Sequence, residues 1–336
     1  MKPTLPLRLA PVLLLVLPAA APAAAFDSSR DDVRAFIEEM EQKNGLERAW
    51  VEELVAGAEF QQRIIDLVSR PAERTRRWHE YRRHFLTHER IEAGVRFWVE
   101  HRERLAAAER ESGVAQHVIV GILGVETFYG RITGNFRVLD ALSTLAFDYP
   151  PRSPFFRSEL EQFLLLAREE AVAPLSVRGS YAGAMGYPQF MPSSYRAYAV
   201  DGDGDGRRDL WTSWDDVIAS VANYLARHGW RAGEPIVTPA ELWYPDADGL
   251  VAGSIVTDET VQSLRGKALL FETTLDEDAP AAFIAVAGDE GPELRVGFRN
   301  FAVITRYNRS VMYALAVNDL GRAIEARLPL PAGEPS

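Results

Sequence analysis

A mainly α fold of α+β type, helical at both ends with a small β unit inserted late in the chain, is predicted by three observations. Apolar residues recur at helical spacing between Asp31 and Arg110, as in Val33, Phe36, Ile37 and Met40 and again in Ile64, Ile65 and Val68. Between Glu234 and Arg299 the pattern changes to short β-rich runs separated by Gly, Pro and Asp. From Ser310 to Ala326 the helical pattern returns, so the β unit reads as an excursion from a helical body. A chain of 336 residues is long enough for two domains or one elaborated domain, and 47% hydrophobic with 25% charged residues is ordinary globular composition.

The first segment is of another kind. Lys2 and Arg8 precede the apolar run Val12 to Leu17, which is followed by Pro18 and the small-residue string Ala19 to Ala25. This is the pattern of a secretory signal peptide, residues 1–25, with cleavage expected after Ala25. The apolar run is too short to span a bilayer. With no cysteine in the chain there is no residue for lipid attachment at the cleavage point, so the expectation is an exported, soluble protein without a membrane anchor. The same absence excludes disulfides, thiolate-bound metal and a cysteine nucleophile. A net charge of −11 argues against nucleic acid as partner. Arg74, Arg76, Arg77, Arg82, Arg83 and Arg90 crowd one segment; a solvated helix face is the first reading of such a run, contact with an anionic polymer the second.

Residues 26–112 form an N-terminal helical domain, punctuated at Pro71 and Gly94. A helix is predicted from Gly113 through Tyr129, with Ser112 as its N-cap and Gly130 as its left-handed C-cap, which places Glu126 in the last turn. Beyond Pro150 and Pro151 come a helix at Phe156 to Glu170, a Gly-rich segment from Gly179 to Gly186, an acidic loop at 201–216 and a helix from Asp216 to His228, all within residues 113–233. The small β domain, 234–299, contains runs at Ile236 to Thr238, Ser254 to Thr257, Leu269 to Thr274, Ala282 to Ala287 and Leu294 to Phe298. Residues 300–336 return to the body and supply the C-terminal helix.

Three segments carry chemistry. Gly124-Val125-Glu126-Thr127-Phe128-Tyr129-Gly130 sets one carboxylate among apolar neighbours at a helix end, where desolvation raises a carboxyl pKa and favours a general acid. Taken alone, a helical glutamate is more often a surface residue. Ser180-Tyr181-Ala182-Gly183-Ala184-Met185-Gly186-Tyr187-Pro188-Gln189-Phe190-Met191-Pro192-Ser193-Ser194-Tyr195 combines small residues, which let backbone approach a ligand, with Ser180 and Gln189, whose hydrogen bonds suit sugar hydroxyl or N-acetyl groups. A tightly packed loop is the alternative. Asp201-Gly202-Asp203-Gly204-Asp205-Gly206-Arg207-Arg208-Asp209 places oxygen ligands at positions 1, 3, 5 and 9 with Gly at 6, the opening of an EF-hand loop suited to Ca²⁺, although the closing position 12 is Thr212. An acidic surface turn without metal is the competing reading.

Together with Asn223-Tyr224-Leu225-Ala226-Arg227-His228-Gly229-Trp230 and Phe301-Ala302-Val303-Ile304-Thr305-Arg306-Tyr307-Asn308-Arg309-Ser310, these segments closely resemble the membrane-bound lytic transglycosylase B family. Four motifs stand in the expected order and cover nearly everything from Asp31 to Ala326. The resemblance implies a goose-lysozyme-like catalytic core at 113–233 with a surrounding helical domain and the small β domain. It maps the catalytic acid onto Glu126, places Ser180 and Gln189 near the reacting sugar, and puts Tyr81, Tyr224, Tyr307, Asn308 and Tyr313 around the groove. It also implies a structural Ca²⁺ held by Asp201, Asp203, Asp205, the backbone carbonyl of Arg207, Asp209 and a later carboxylate, Asp215 or, by preference, Asp216. Where the family often has two arginines after the tyrosine-proline turn, this chain reads Tyr149-Pro150-Pro151-Arg152, leaving Arg152 as candidate contact to the stem peptide.

The implied reaction cleaves the β-1,4 bond between N-acetylmuramic acid and N-acetylglucosamine of peptidoglycan, with one glutamic acid as acid and then base and the muramoyl C6 hydroxyl as nucleophile. Ordinary glycosidases use two carboxylates. Asp140 and Asp148 follow Glu126, but nothing in their context marks either as the second. The expected partners are glycan strands and, beyond them, cell-wall synthesis or remodelling proteins. A lysozyme-type hydrolase sharing Glu126, a non-catalytic peptidoglycan-binding protein and, resting on the acidic loop alone, a calcium-dependent structural protein are the competing functions.

Overall fold

The computed structural model describes residues 26–27, 29–69, 76–243 and 257–329. The signal-peptide segment, Pro71, Arg74 and residues 254–256 of one expected strand lie outside the described residues.

Among the described residues, six helices precede the centre of the molecule: α1 (Asp31–Asn44), α2 (Arg48–Gly57), α3 (Gln62–Val68), α4 (Trp78–Phe85), α5 (His88–Glu100) and α6 (Arg102–Ser112). α7 (Gln116–Thr127) follows. Its residues Val118, Ile119, Val120, Ile122 and Leu123 are inaccessible to solvent, so it is apolar on all sides and runs through the core. Around it stand α8 (Val138–Asp148), α9 (Ser153–Glu169), α10 (Pro192–Tyr198) and α11 (Trp214–Arg227), with a two-residue antiparallel pair, β1 (Phe136–Arg137) and β2 (Arg178–Gly179). The chain then makes β3 (Val237–Leu242), β4 (Glu259–Thr260), α12 (Val261–Gly266), β5 (Leu269–Leu270), β6 (Pro280–Ala287) and β7 (Pro292–Phe298), and returns through α13 (Arg299–Tyr307) and α14 (Val311–Glu325).

The late strands form one antiparallel sheet in the order β4-β6-β7-β3-β5, with Ala282 opposite Gly297 and Val237 opposite the same glycine from the other side. Val261, Leu264, Leu269, Phe271, Phe283, Val296 and Phe298 give this sheet a core of its own. Ion pairs tie it to the helices: Arg295 bonds Asp319 of α14 through both nitrogens, at 2.7 and 2.9 Å, and Arg82 of α4 reaches Glu293 at 3.0 Å. The clustered arginines thus serve partly as the seam between helices and sheet.

α14 crosses α7 at very short range. A Cβ on Gly121 would stand 2.3 Å from the Val317 carbonyl oxygen, and one on Gly321 would stand 2.1 Å from that of His117. Only glycine permits this approach, and the crossing fixes the start of α14 beside the end of α7.

Three local expectations are corrected. The helix expected from Gly113 begins at Gln116, because Gly113 takes a left-handed conformation (φ 73°) that closes α6, and the Ser112 hydroxyl donates to the Ala108 carbonyl within that earlier helix. The helix ends at Thr127, not Tyr129; Phe128 and Tyr129 are already left-handed, at φ 51° and 57°, ahead of Gly130. Gly94 does not interrupt its helix. It lies within α5, where the Tyr129 hydroxyl and Ile324 each come within 2.4 Å of the place a Cβ would take.

Candidate active site

Glu126, in the last turn of α7, is half-buried, and the hydroxyl of Tyr313 on α14 donates to its Oε1 at 2.6 Å. Burial, and next to it the charge of Glu126, pushes the Tyr313 phenol well above its ordinary pKa, so it stays a hydrogen-bond donor at any working pH. Beside Glu126, the Thr127 hydroxyl donates to the Tyr187 carbonyl at 2.9 Å and accepts from the Gly130 amide at 3.1 Å. This locks the end of α7 to the Gly-rich segment.

That segment forms the opposite wall. The Ser180 hydroxyl accepts from the amides of Ala182 and Ala184, at 3.2 and 3.0 Å, and so holds the turn closed. Gln189 adopts φ 52°; its amide nitrogen donates to the carbonyls of Gly186 and Thr133, at 2.9 and 3.1 Å, so its side-chain carbonyl is what it can offer a sugar. A third wall is aromatic. Tyr224 of α11 donates to the Arg306 carbonyl and Tyr307 of α13 to the Pro188 carbonyl, both at 2.7 Å, with ring centroids 4.9 Å apart. With their hydroxyls committed, these rings present faces suited to the apolar side of a pyranose.

The cavity between the three walls has a volume of about 330 Å³. Among the described residues that line it, Glu126 is the only acid. Asp140 is buried in a paired ion bridge to Arg137 and accepts from the Glu59 amide, while Asp148 is bound to Arg30. Both are structural.

The acidic loop is a second cluster. Carboxylate oxygens of Asp201, Asp203 and Asp205 converge within 4.8 Å of one another. Asp201 accepts from the amides of Gly204, Asp205 and Gly206, and Asp205 from that of Arg207, so the backbone wraps around the acids. Asp209 accepts from the Trp211 and Thr212 amides. Asp216 lies buried beneath, bonded to the amides of Gly202 and Asp209; burial, and then the charges of Asp203 and Asp201, push its carboxyl up. Asp215 faces away, to Arg104 at 2.8 Å.

A match to the transglycosylase SLT domain family spans residues 28–322. The chain belongs to this family. The membrane-bound lytic murein transglycosylase B of Escherichia coli (strain K12) is 39% identical over 306 residues, 88% of this chain and 83% of that protein. Among solved structures, the lytic transglycosylase SltB1 from Pseudomonas aeruginosa superposes with a TM-score of 0.85 at 49% identity, covering 89% of this chain and 98% of that one. The Escherichia coli lytic transglycosylase Slt35 does so with 0.83 at 39%, covering 90% and 96%. The helical architecture with its small sheet is therefore that of the lysozyme-like lytic transglycosylases.

On this lytic transglycosylase fold, Glu126, Ser180, Gln189, Tyr224, Tyr307 and Asn308 come together around one cavity. Tyr313 stands behind the carboxylate it bonds, its ring stacked on Tyr307. Tyr81 of α4 is buried, its ring centroid 6.4 and 5.0 Å from those of Trp78 and Phe85, and it lies close enough to Tyr313 to help raise that phenol. Arg152 is exposed outside the cavity, its guanidinium 4.5 Å from the Phe155 ring. The lining also includes Tyr181, Phe190, Met191 and Ser194. They belong to the Gly-rich motif, but sequence gave no means of telling which of its side chains face inward.

Proposed function

We propose that Glu126 is the acid and then the base of a lytic transglycosylase reaction on peptidoglycan, leaving 1,6-anhydromuramic acid ends. The observation that carries this is that, among the described residues lining the cavity, Glu126 is the single carboxylate, bonded by Tyr313, with no second acid to activate water. Protonated Glu126 delivers its proton to the oxygen joining N-acetylmuramic acid to N-acetylglucosamine as the C1–O bond breaks. The substrate's N-acetyl group stabilises the positive charge at C1. The carboxylate then takes the C6 hydroxyl proton while O6 bonds C1, which restores the acid and closes the ring. A nucleophile on the same sugar acts at high effective concentration. Ser180 and Gln189 border the reacting sugar, and Tyr224, Tyr307 and Asn308 the groove. Tyr313 fixes the acid. A related structure, SltB3 of Pseudomonas aeruginosa, is a complex with NAG-anhNAM-pentapeptide, and Slt35 is a complex with bulgecin A, which supports a glycan strand as the partner.

The acidic loop is proposed to hold a structural Ca²⁺ through Asp201, Asp203, Asp205, Asp209, Asp216 and the Arg207 carbonyl. Converging hard oxygen donors fit that ion, and Slt35 is also a complex with calcium. Of the two candidate closing acids, the buried position of Asp216 under the loop favours it over Asp215. The site of action is proposed to be the periplasm; no described helix is long and apolar enough to cross a membrane.

Digestion of purified sacculi in ¹⁸O-labelled water tests the reaction. The expected muropeptides lack a reducing end, weigh one water less than lysozyme products and carry no label at C1. Mainly labelled, reducing muramic acid ends would replace the transglycosylase with a lysozyme-type hydrolase.

A further inference from the structure

Helix α5 supplies no residue to the cavity lining, yet it grips the two residues that follow the catalytic turn. Phe128 and Tyr129 are consecutive non-glycine residues at φ 51° and 57°. Each such conformation costs about 1 kcal/mol and persists only where the surroundings over-determine it. Tyr129 stacks on Phe97 of α5 with centroids 5.2 Å apart at 23°, and its hydroxyl lies against Gly94. Phe128 carries two guanidinium groups, those of Arg90 and Arg131, each 4.7 Å from its ring centroid. Arg131 is itself 3.6 Å from Glu89, the neighbour of Arg90 on α5.

Arg90 is unusual. It is only 8% exposed, its Nε and Nη1 are buried without hydrogen-bond partners, and no ion pair to it is formed among the described residues. Its guanidinium contacts are aromatic: Phe128, and Phe85 at 5.1 Å. A cation this far buried, with no ion pair among the described residues and only nearby Tyr129 and the charge of Glu89 to favour it, is expensive, and an apolar side chain of similar length would stabilise the fold as well or better. Its presence therefore calls for a role other than stability.

We propose that Arg90 is a positioning residue for Glu126: its guanidinium, set on the Phe128 ring, holds the left-handed turn that fixes the carboxylate two residues earlier. The inference rests on Glu126 being the acid. A misplacement of the acid by less than an ångström slows turnover without weakening the binding of distant sugars, so Arg90→Met is expected to lower kcat roughly tenfold or more. KM should stay within about twofold, as for loss of an interaction made only in the transition state. The melting temperature should be unchanged or higher. Arg90→Lys, which keeps a cation over the ring, should recover part of the rate.

Wild-type kcat in Arg90→Met would overturn the proposal. So would a parallel fall of kcat and melting temperature that Lys does not relieve, since that is a structural role. Should Arg90→Met fail to fold, Phe128→Leu removes the ring and keeps an apolar side chain: lost kcat at an unchanged melting temperature supports the clamp, unchanged kcat overturns it. Glu126→Gln is assayed in parallel. If it retained turnover the acid assignment would fall and this proposal with it, whereas lost turnover in Glu126→Gln beside wild-type kcat in Arg90→Met would overturn this proposal alone.

Discussion

At the scale of single residues, the proposed chemistry narrows to the one carboxyl group among the described cavity residues, to which a buried phenol is bonded. The Tyr313 hydroxyl is enclosed and donates to Glu126 Oε1 at 2.6 Å, which fixes the rotamer of the acid before substrate arrives. Asp140 and Asp148, the neighbouring acids in sequence, are consumed by Arg137 and Arg30. Glu126→Gln keeps shape and hydrogen bonding to Tyr313 but cannot deliver a proton, so turnover on sacculi should fall by a factor on the order of 10² to 10⁴. Its melting temperature and glycan binding should match wild type. Turnover within a few-fold of wild type in the purified variant would remove Glu126 from the mechanism.

At the scale of elements, two constructions position the site. The first is the crossing of α7 and α14, where Gly121 and Gly321 bring backbones into contact and set Tyr313 beside Glu126. Gly321→Ala would place a methyl 2.1 Å from the His117 carbonyl oxygen, and neither helix backbone can yield cheaply. The expected cost is about 1–3 kcal/mol or somewhat more, read by denaturant unfolding, with a fall in kcat as the helices part. An Ala variant as stable as wild type would show that the crossing relaxes. The second construction is the acidic loop, which opens onto α11, the helix that carries Tyr224 into the cavity. If the loop binds Ca²⁺ only when folded, a hundredfold excess over Kd stabilises the protein by about 2.7 kcal/mol. Calcium should therefore raise the melting temperature of metal-free enzyme, and Asp201→Ala should abolish that rise while Glu126 and its contacts remain. Equal melting temperatures with calcium and with chelator in protein verified metal-free would speak against the site.

At the scale of the whole molecule, the central helix also sets the response to acid. His117 on α7 is only 3% exposed; burial, and next to it the positive charge of Arg322, pushes its pKa from 6.5 to about 4, against the opposing pull of Glu325. The unfolded chain therefore binds more protons than the folded one between those values. Stability from keeping this imidazole neutral is complete above about pH 6.5 and is lost as pH falls towards 4, by on the order of 3 kcal/mol in total. His117→Leu removes the titrating group without orphaning a bonded partner, since Nε2 has none in the fold. Its melting temperature should fall less than that of wild type between pH 6.5 and 4. Identical slopes would mean that other groups carry the acid response.

Local pattern was enough for the helical body, the late sheet and the placing of Glu126 at a helix end, because periodicity and turn residues act within a few positions of one another. The four motifs were equally legible, and with them most of the cavity: Ser180, Gln189, Tyr224, Tyr307 and Asn308 meet around Glu126 although up to 182 positions separate them, since 308 − 126 = 182. What the motifs could not convey is which side of each segment faces inward. Tyr313, expected around the groove, instead stands behind the carboxylate and bonds it, a placement made by the close packing of α14 on α7. Gly94 read as a break because a glycine weakens an isolated helix. In the fold it is required within α5, for it makes room for the Tyr129 hydroxyl. Helix ends moved for a similar reason: Phe128 and Tyr129 are poor candidates for left-handed backbone by local energy, and contacts from α5, distant in sequence, together with the Arg131 guanidinium, hold them there. The sequence by itself determined the composition of the site and the order of its parts; packing across the molecule decided their orientation, because side-chain direction depends on contacts between segments that no local pattern encodes.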